Sequence, residues 1–443
     1  IGVLIRNRDS NLNARNRNLT NSNEDGRIVQ VARTTIIKMK TYKNLYPKLY
    51  SYKNLELAFR KSRKGKGTKP YVIEFEKNLE KNLLNLKKEL ENENYIPYRL
   101  TKFIIRDPKT RVIRKSIFRD RIVHHAIVNI LEPIYDKRFI SNNFANRVNK
   151  GTIAAIQKFD EFKRKVSKNG KLVRNSINDN MVIGYILKAD IKKFFDSVDQ
   201  SKLIKILRRK IKDEKVIWLI TKILKNFDNK RKGMPLGNMT SQFFANVYLN
   251  DLDQFIKHRL KIKYYIRYVD DFVILHENKK FLEECKDKIE KYLKNLKLEL
   301  HKDKSKIYSM YKGVDFLGFK IFYYYKRARK RNVRYFQIKL KKLEERYNLG
   351  EINREKIMES VEGWVSYIMW GNTYKLRKKL IQEIDTILKR ASPPPCISLN
   401  KLYIVGGRFS LIIFDKTMEN SNKLGGRFDN SIKLVFNSPI VTS

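Results

Sequence analysis

The stretch that decides the fold is Tyr264–Leu275, YYIRYVDDFVIL, in which two apolar runs flank Asp270 and Asp271. Both runs are rich in aromatic and β-branched residues and predict short strands, so the two acids lie at or near the tip of a hairpin. Upstream, Val182–Asp190 predicts a strand that ends in a third acid, Asp190. Clustered carboxylates repel one another, and a pair of divalent cations would offset that repulsion and suit a phosphoryl transfer. Taken alone, the stretch is more typical of a solvated Asp-Asp turn, and only the neighbouring motifs favour the metal site.

The charge balance is far from that of an ordinary globular chain. The 443 residues include 97 Lys and Arg against 46 Asp and Glu, which gives a formal net charge of +51. Phosphates bind such cations with release of counterions, so the balance favours a nucleic-acid partner. AT-rich coding is an alternative explanation for the abundance of lysine, but it does not explain the deficit of acids.

Cysteine use and hydropathy exclude several classes of protein. Cys285 and Cys396 are isolated, which argues against a disulfide framework and a structural zinc site. No apolar run reaches the roughly 20 residues that a membrane-spanning helix needs, and the N-terminus lacks the apolar core of a signal peptide. We expect a soluble protein in a reducing, intracellular setting with no membrane partner.

Periodicity predicts an α+β fold. Strands and helices alternate without a Gly-rich phosphate loop, which argues against a Rossmann or P-loop fold. A hairpin is predicted at Phe103–Ile113, and further strands at 305–309 and 314–325. Helical spacing predicts the helices Phe75–Leu90, Phe118–Leu131, Ser201–Ile211, Val216–Phe227, 240–260, 279–296 and the region 334–391.

The two ends of the chain differ from its middle. Residues 1–38 are polar and are predicted to be a disordered leader, with Met39 as the native start. A basic RNA-binding arm is the alternative for this leader. Residues 393–443, after a break at Pro393–Pro395, form a β-leaning tail of unknown role.

Four motifs in this order resemble those of reverse transcriptases, over roughly residues 42–385. They are KADIKKFFD at 188–196, LGNMTSQ at 236–242, YVDD at 268–271 and DFLGF at 315–319. FRDRIVHHA at 118–126, KGT at 150–152 and the L-G-x-x-x-S-Q form of the second motif are most similar to reverse transcriptases of diversity-generating retroelements. The resemblance implies a right-hand polymerase fold with fingers, an antiparallel palm sheet and a helical thumb. It divides the chain into an N-terminal helical extension (39–95), fingers (96–182), palm (183–327) and thumb (328–392).

The resemblance also assigns a catalytic centre. Asp190, Asp270 and Asp271 are the catalytic acids: Asp190 and Asp270 bridge two Mg²⁺ ions, and Asp271 supports the site. Ile191 also belongs to the predicted metal set, and Mn²⁺ can substitute for Mg²⁺. Phe195 matches the position of an aromatic ring that excludes a ribose 2′-hydroxyl and so selects deoxynucleotides. Plain core packing is the alternative for Phe195, and it is the role that we expect of the adjacent Phe194.

Further residues are predicted to handle the nucleotide and the primer. Cations near the tip of the hairpin at 103–113, together with one at 147, suit a triphosphate, although a generic basic loop would look the same. The pocket loop lies at 236–242, the primer grip at 316–318, and a general acid for pyrophosphate is one of two lysines. The predicted triphosphate ligands are Lys109, Arg111 and Arg147, and the pocket-loop residues are Leu236, Gly237, Ser241 and Gln242. The primer-grip residues are Phe316, Leu317 and Gly318, and the general acid is Lys304 or Lys306.

The resemblance implies partners and leaves two rival interpretations. The partners are template RNA, the RNA/cDNA duplex, dNTPs and a small basic accessory protein that forms an oligomer, in the cytoplasm of a bacterial, archaeal or phage-infected cell. The enzyme would copy a template-repeat RNA with errors at adenines. Group II intron, retron and abortive-infection reverse transcriptases are alternatives. Group II intron maturases, however, usually have Gln and Pro where this chain has Leu236 and Gln242. A non-catalytic nucleic-acid-binding protein is the second alternative.

Overall fold

The computed structural model describes residues 40–106, 110–173, 181–227, 231–390, 404–405 and 408–409. Predictions for residues 1–38, for Lys109 and for most of the C-terminal tail lie outside the described residues. The chain divides into two compact units. The first comprises residues up to Ser141, Ile191–Lys261 and Ile289–Leu300, and the second comprises Asn142–Asp190, Ile262–Lys288 and His301 onward.

Helices and strands alternate, as the sequence predicts, and the α+β class is confirmed. The helices are α1 (Tyr46–Tyr50), α2 (Tyr52–Arg63), α3 (Pro70–Lys77), α4 (Leu79–Glu91), α5 (Phe118–Asp136), α6 (Thr152–Val166), α7 (Phe194–Ser197), α8 (Gln200–Arg208), α9 (Glu214–Lys225), α10 (Met239–Gln254, continued by a π-helical turn at Phe255–Arg259), α11 (Lys279–Asn295), α12 (Lys330–Asn348), α13 (Arg354–Ile368) and α14 (Tyr374–Arg390). The strands are β1 (Thr101–Ile105), β2 (Arg111–Lys115), β3 (Leu172–Val173), β4 (Met181–Val182), β5 (Tyr185–Asp190), β6 (Tyr265–Tyr268), β7 (Asp271–His276), β8 (Lys306–Ser309), β9 (Val314–Phe316), β10 (Phe319–Ile321), β11 (Lys326–Ala328), β12 (Ile404–Val405) and β13 (Arg408–Phe409).

The second unit is built on a four-stranded antiparallel sheet in the order β6-β7-β5-β8. The two central strands, β5 and β7, are apolar on both faces, which is typical of buried strands. A three-stranded sheet, β11-β10-β9, follows in the chain. Both sheets contribute to one apolar core, which includes Phe159 of α6, Val273 of β7 and Phe316 of β9.

Helices α12, α13 and α14 have an apolar core of their own within this unit. Phe336, Leu340, Ile357 and Leu380 are among its buried residues, and Trp364 stacks on Phe336 with the ring centroids 4.7 Å apart. The predicted helical region at 334–391 is therefore present as three helices.

The first unit is largely helical. The single helix predicted over Phe75–Leu90 is instead two helices, because Asn78 has φ −124° and ψ 44°, outside the helical region, and separates α3 from α4. The hairpin of β1 and β2 is formed in the predicted place, with Thr101 opposite Lys115. None of the described helices is both long and apolar enough to cross a membrane. The four-part division of the chain stays a prediction.

Candidate active site

Two of the three predicted acids face each other on paired strands of the second unit. Asp190 is the last residue of β5, Asp271 is the first of β7, and they are direct partners in the antiparallel register. Directly opposite residues share one face of a sheet, with their Cβ atoms about 4.5–5.5 Å apart. Asp270 lies in the turn between β6 and β7, one residue before Asp271. The sheet thus brings Asp190 and Asp271 together, and their catalytic role stays a prediction.

A lysine lies against the first of these carboxylates. The Nζ of Lys304 donates a hydrogen bond to Oδ2 of Asp190, whose side chain is 13% exposed. The backbone of Asp190 is fixed as well, because its carbonyl accepts a hydrogen bond of 2.7 Å from the backbone N–H of His301. Lys306 begins β8 and is the register partner of Lys188. Of the two lysines that the sequence could not separate, Lys304 contacts the acid.

Burial and charge set the ionisation of Asp271. Burial raises the pKa of this carboxyl above its ordinary value, and the neighbouring charge of Asp190 raises it further. Three cations, Lys188, Arg329 and Lys304, act in the opposite direction. A divalent cation would favour the charged form of Asp271, which is the state that this carboxylate needs as a metal ligand.

The carboxylates of Asp190 and Asp271 fit the type of Mg²⁺ site that has few protein ligands. Mg²⁺ binds carboxylate oxygens and is often held by one or two carboxylates together with substrate phosphates. Asp190 and Asp271 supply two such groups on one face. Among the described residues, no group of three or more His, Cys, Asp or Glu is arranged to hold an ion.

A buried residue that the sequence analysis missed stabilises the turn that carries Asp270 by a hydrogen bond to its backbone. Arg267 is fully buried, and its Nη1 donates a hydrogen bond of 2.9 Å to the carbonyl of Val269. Val269 has a φ of 55°, which is costly for a β-branched residue and is typical of functional turns. In the sequence, Arg267 looks like an outward strand residue, so nothing there signals its burial.

The same buried arginine links a predicted phosphate ligand to the hairpin. The backbone of Arg267 forms a bridge with Asn143, whose carbonyl accepts a hydrogen bond of 3.1 Å from Nη1 of Arg147. Arg147 is therefore anchored to Asn143, and Asn143 is in turn bridged to strand β6 of the hairpin. Arg111, the first residue of β2, is exposed and belongs to the first unit.

The predicted primer grip is the tight turn between β9 and β10. Leu317 and Gly318 have φ values of 44° and 89°. The hydroxyl of Tyr367, from α13, fills the space where a side chain at residue 318 would lie, so only glycine fits there. Asn332 of α12 donates a hydrogen bond of 3.2 Å to that hydroxyl. Tyr367 and Asn332 thus position the turn. Both residues are distant from it in the sequence, so the sequence alone does not reveal this role.

The predicted pocket loop is fixed within the first unit. The carbonyl of Leu236 accepts a hydrogen bond of 3.0 Å from the backbone N–H of Arg114 in β2. Gly237 has a φ of 115°, and a Cβ there would lie 2.8 Å from the side chain of Ile113. The side-chain oxygen of Asn238 accepts a hydrogen bond of 3.0 Å from the backbone N–H of Ser116. The loop therefore depends on the hairpin β1–β2.

The remaining predicted residues of the first unit lie in α10, in α7 and directly after Asp190. Ser241 is buried and Gln242 half-buried in the first turn of α10. In α7, Phe194 is buried, as expected, and Phe195 is half-buried. Ile191 is buried and follows Asp190 directly in the chain.

Two adjacent histidines also belong to this unit. The Nδ1 of His124 lies 2.6 Å from Oγ1 of Thr240, the second residue of α10. Burial lowers the pKa of His124 to about 3, and that of His125 to about 4. The contact with Thr240 gives His124 a structural role.

Comparison with known proteins gives a consistent result. Residues 105–321 match the family model of the reverse transcriptase (RNA-dependent DNA polymerase). The chain is 26% identical to Protein YkfC of Escherichia coli, over 53% of this chain and 70% of that protein. It is 24% identical to the group II intron-encoded protein LtrA of Lactococcus lactis, over 62% of this chain and 55% of that protein. A shorter stretch, 26% of this chain and 14% of the relative, is 32% identical to Nuclear intron maturase 1, mitochondrial, of Arabidopsis thaliana.

Proposed function

We propose that this chain, whose residues 105–321 match the reverse transcriptase (RNA-dependent DNA polymerase) model, is an RNA-directed DNA polymerase that copies a template-repeat RNA of a diversity-generating retroelement into cDNA. The predicted enzyme class is confirmed, and the family implies an RNA template, dNTPs and a divalent metal. The observation that carries the catalytic proposal is the facing pair Asp190 and Asp271, with Lys304 against the first.

The residues of the chain have the following roles in this proposal. Asp190 and Asp270 would hold the metal ions, and Asp271, which faces Asp190 across the sheet, and Ile191 would support them. Two Mg²⁺ ions, when bound, activate the primer 3′-hydroxyl and offset the charge of the triphosphate. Lys304 is the better placed of the two candidate general acids, because its ammonium group already lies at the metal-binding carboxylate. Its proton would pass to an oxygen of the leaving pyrophosphate.

The wider assignment follows the same resemblance. Residues 96–182 and 183–327 form fingers and palm, the three helices at 328–392 form the thumb, and residues 39–95 are an N-terminal extension. Lys109, Arg111 and Arg147 hold the triphosphate. We also propose a small basic accessory protein as a partner. These assignments rest on the order of the motifs along the chain.

The retroelement class rests on the pocket loop. Leu236 and Gln242 occupy positions where maturases usually carry Gln and Pro, and an aliphatic Leu236 removes a polar contact to the nascent pair. A second candidate, a group II intron reverse transcriptase, is favoured by the similarity to the intron-encoded protein of L. lactis. Sequencing of cDNA separates the two, because errors concentrated at template adenines support the first and a uniform low error rate supports the second.

Primer extension tests the catalytic proposal. A primed RNA, dNTPs and Mg²⁺ should give full-length product with the parent chain and none with the double substitution Asp270→Ala and Asp271→Ala. Asp303→Asn is the matched control, because that acid belongs to the same unit and its side chain is 89% exposed. RNA binding should survive the double substitution, since affinity comes from the basic surface. Retained incorporation by the double variant would remove these acids from the catalytic centre.

A further inference from the structure

The hairpin of β10 and β11 has a turn that its sequence does not favour. Phe322 donates a backbone hydrogen bond of 2.9 Å to the carbonyl of Tyr325, so the loop consists of only Tyr323 and Tyr324. Two-residue hairpin loops strongly favour Gly, Asn and Asp. Tyr324 is also 71% exposed. Neither Tyr323 nor Tyr324 is among the described residues with positive φ, so the turn is not strained. Two adjacent tyrosines still depart from the usual residue preference, and a departure of this kind points to a function.

The strands next to this turn carry a second unfavourable feature. Lys320 of β10 and Arg327 of β11 are direct partners in the antiparallel register, and both are exposed. Like charges directly opposite each other destabilise a sheet. Within the part of the chain that the structure describes, neither cation forms an ion pair. The acid opposite Lys320 on the other side, Asp315, is instead 3.6 Å from Arg329.

The two features form one continuous face. Lys320 lies over the ring of Phe322 at 5.2 Å, and Arg327 lies over the ring of Tyr325 at 4.8 Å. The two rings stack on each other with their centroids 4.6 Å apart. Two cations therefore flank two stacked rings, and Tyr324 extends beyond them at the tip. We call Lys320, Phe322, Tyr324, Tyr325 and Arg327 the aromatic hairpin face.

The hairpin is held rigidly by the remaining residues of its turn and strands. Ile321 is buried in the apolar core of the unit. The ring of Tyr323 packs on Gly170, where a Cβ would lie 2.7 Å from it, and Lys163 of α6 lies over the same ring at 5.6 Å. The fold thus uses Tyr323 for packing, whereas Tyr324 is left for solvent or a ligand.

We propose that the aromatic hairpin face binds single-stranded RNA, with a base stacked on Tyr324 and backbone phosphates on Lys320 and Arg327. Proteins that bind single strands combine aromatic rings for bases with cations for phosphates, and such rings accept any base. Phosphates between the two cations would also relieve their repulsion. The choice of RNA rests on the proposed function, since the template is the strand that enters the enzyme unpaired.

Binding of a labelled, unpaired 20-nucleotide RNA to the full chain, without dNTPs, tests the proposal. Tyr324→Ser should weaken binding about tenfold, the scale of one lost stacking contact, and Tyr324→Trp should restore it. Tyr374→Ser is the matched control, because Tyr374 belongs to the same unit and is 52% exposed. The same RNA annealed to its complement should bind the parent and Tyr324→Ser equally, because paired bases cannot stack on the ring.

Salt dependence tests the phosphate contacts. Replacing Lys320 and Arg327 by Gln should reduce the slope of log affinity against log salt by roughly 1.4, or about 0.7 per contact on a single strand. The double substitution Lys291→Gln and Lys294→Gln on α11 is the control, because it removes the same charge from another part of the chain. It should reduce the salt-dependence slope much less than the substitutions at Lys320 and Arg327.

The proposal is overturned if Tyr324→Ser binds the single strand as the parent does, if Tyr374→Ser loses as much, or if single strand and duplex are weakened alike. A protein partner at this face would give the first of these results. In the chain that carries Asp270→Ala and Asp271→Ala, Tyr324→Ser should weaken RNA binding by the same factor. Failure of the catalytic proposal would therefore leave this binding result unchanged, so the two proposals can fail separately.

Discussion

Acid should destabilise the first unit through His124, and the size of the effect follows from its pKa. Burial lowers that pKa from 6.5 to about 3. Above pH 6.5 the ring is neutral in both the folded and the unfolded chain, so it has no effect on stability. Between pH 6.5 and 3 the unfolded chain binds a proton that the folded chain does not, and stability falls as the pH falls. The loss at pH 5 is about 2 kcal/mol relative to pH 7.5.

Substitution of His124 by Asn isolates this contribution. Asn cannot titrate, but it can keep a polar contact with Oγ1 of Thr240, which lies 2.6 Å from Nδ1 of the histidine. The free energy of unfolding, from urea titrations at pH 7.5 and pH 5, should fall about 2 kcal/mol less in the variant than in the parent. His258→Asn, at an exposed position of the same unit, should follow the parent. Equal losses in parent and His124→Asn would refute a buried neutral imidazole at this position.

Three further substitutions test individual roles at the proposed site. Phe195→Val should admit ribonucleotides and lower the preference for dNTP over rNTP by roughly ten- to a hundredfold, the range of one steric contact; an unchanged ratio would make Phe195 plain core. Leu236→Gln should lower misincorporation opposite template adenine by roughly tenfold through one added hydrogen bond, measured by sequencing cDNA; the same adenine error rate as the parent would remove this loop from the cause of mutagenesis. Lys304→Met should slow single-turnover incorporation by about a hundredfold or more if its proton reaches pyrophosphate, whereas Lys306→Met should have little effect. Comparable losses in both lysine variants would contradict the choice between them.

The sequence predicted the two hairpin strands well and the strand of Asp190 less well, because Val182 belongs to β4 and β5 begins at Tyr185. Periodicity predicted β6 and β7 to within one residue at each end, and the antiparallel register then places Asp271 opposite Asp190. It failed where local pattern competes with packing. Asn78 breaks a run of helical spacing that looks continuous from Phe75 to Leu90.

Contacts between distant segments were beyond sequence reasoning. The hydroxyl of Tyr367 fills the space beside Gly318, 49 residues earlier in the chain, and no local pattern reveals that pairing. The buried guanidinium of Arg267 is a similar case, because an arginine in a strand ordinarily points to solvent. Both residues support turns with positive φ, which shows that the precision of the site depends on positions outside its motifs.

The choice between Lys304 and Lys306 shows what the fold adds to composition. The net charge of +51 predicts a polyanion partner but does not say where any one cation lies. In the structure, Lys188, Lys304 and Arg329 come from three separate segments and all lower the pKa of Asp271, against burial and the charge of Asp190. Lys306 faces Lys188 across the β5–β8 pair, whereas Lys304 precedes β8 and contacts the acid at the end of β5. A difference of two residues in position, which spacing alone cannot resolve, therefore separates a cation that contacts the acid from one that faces another cation.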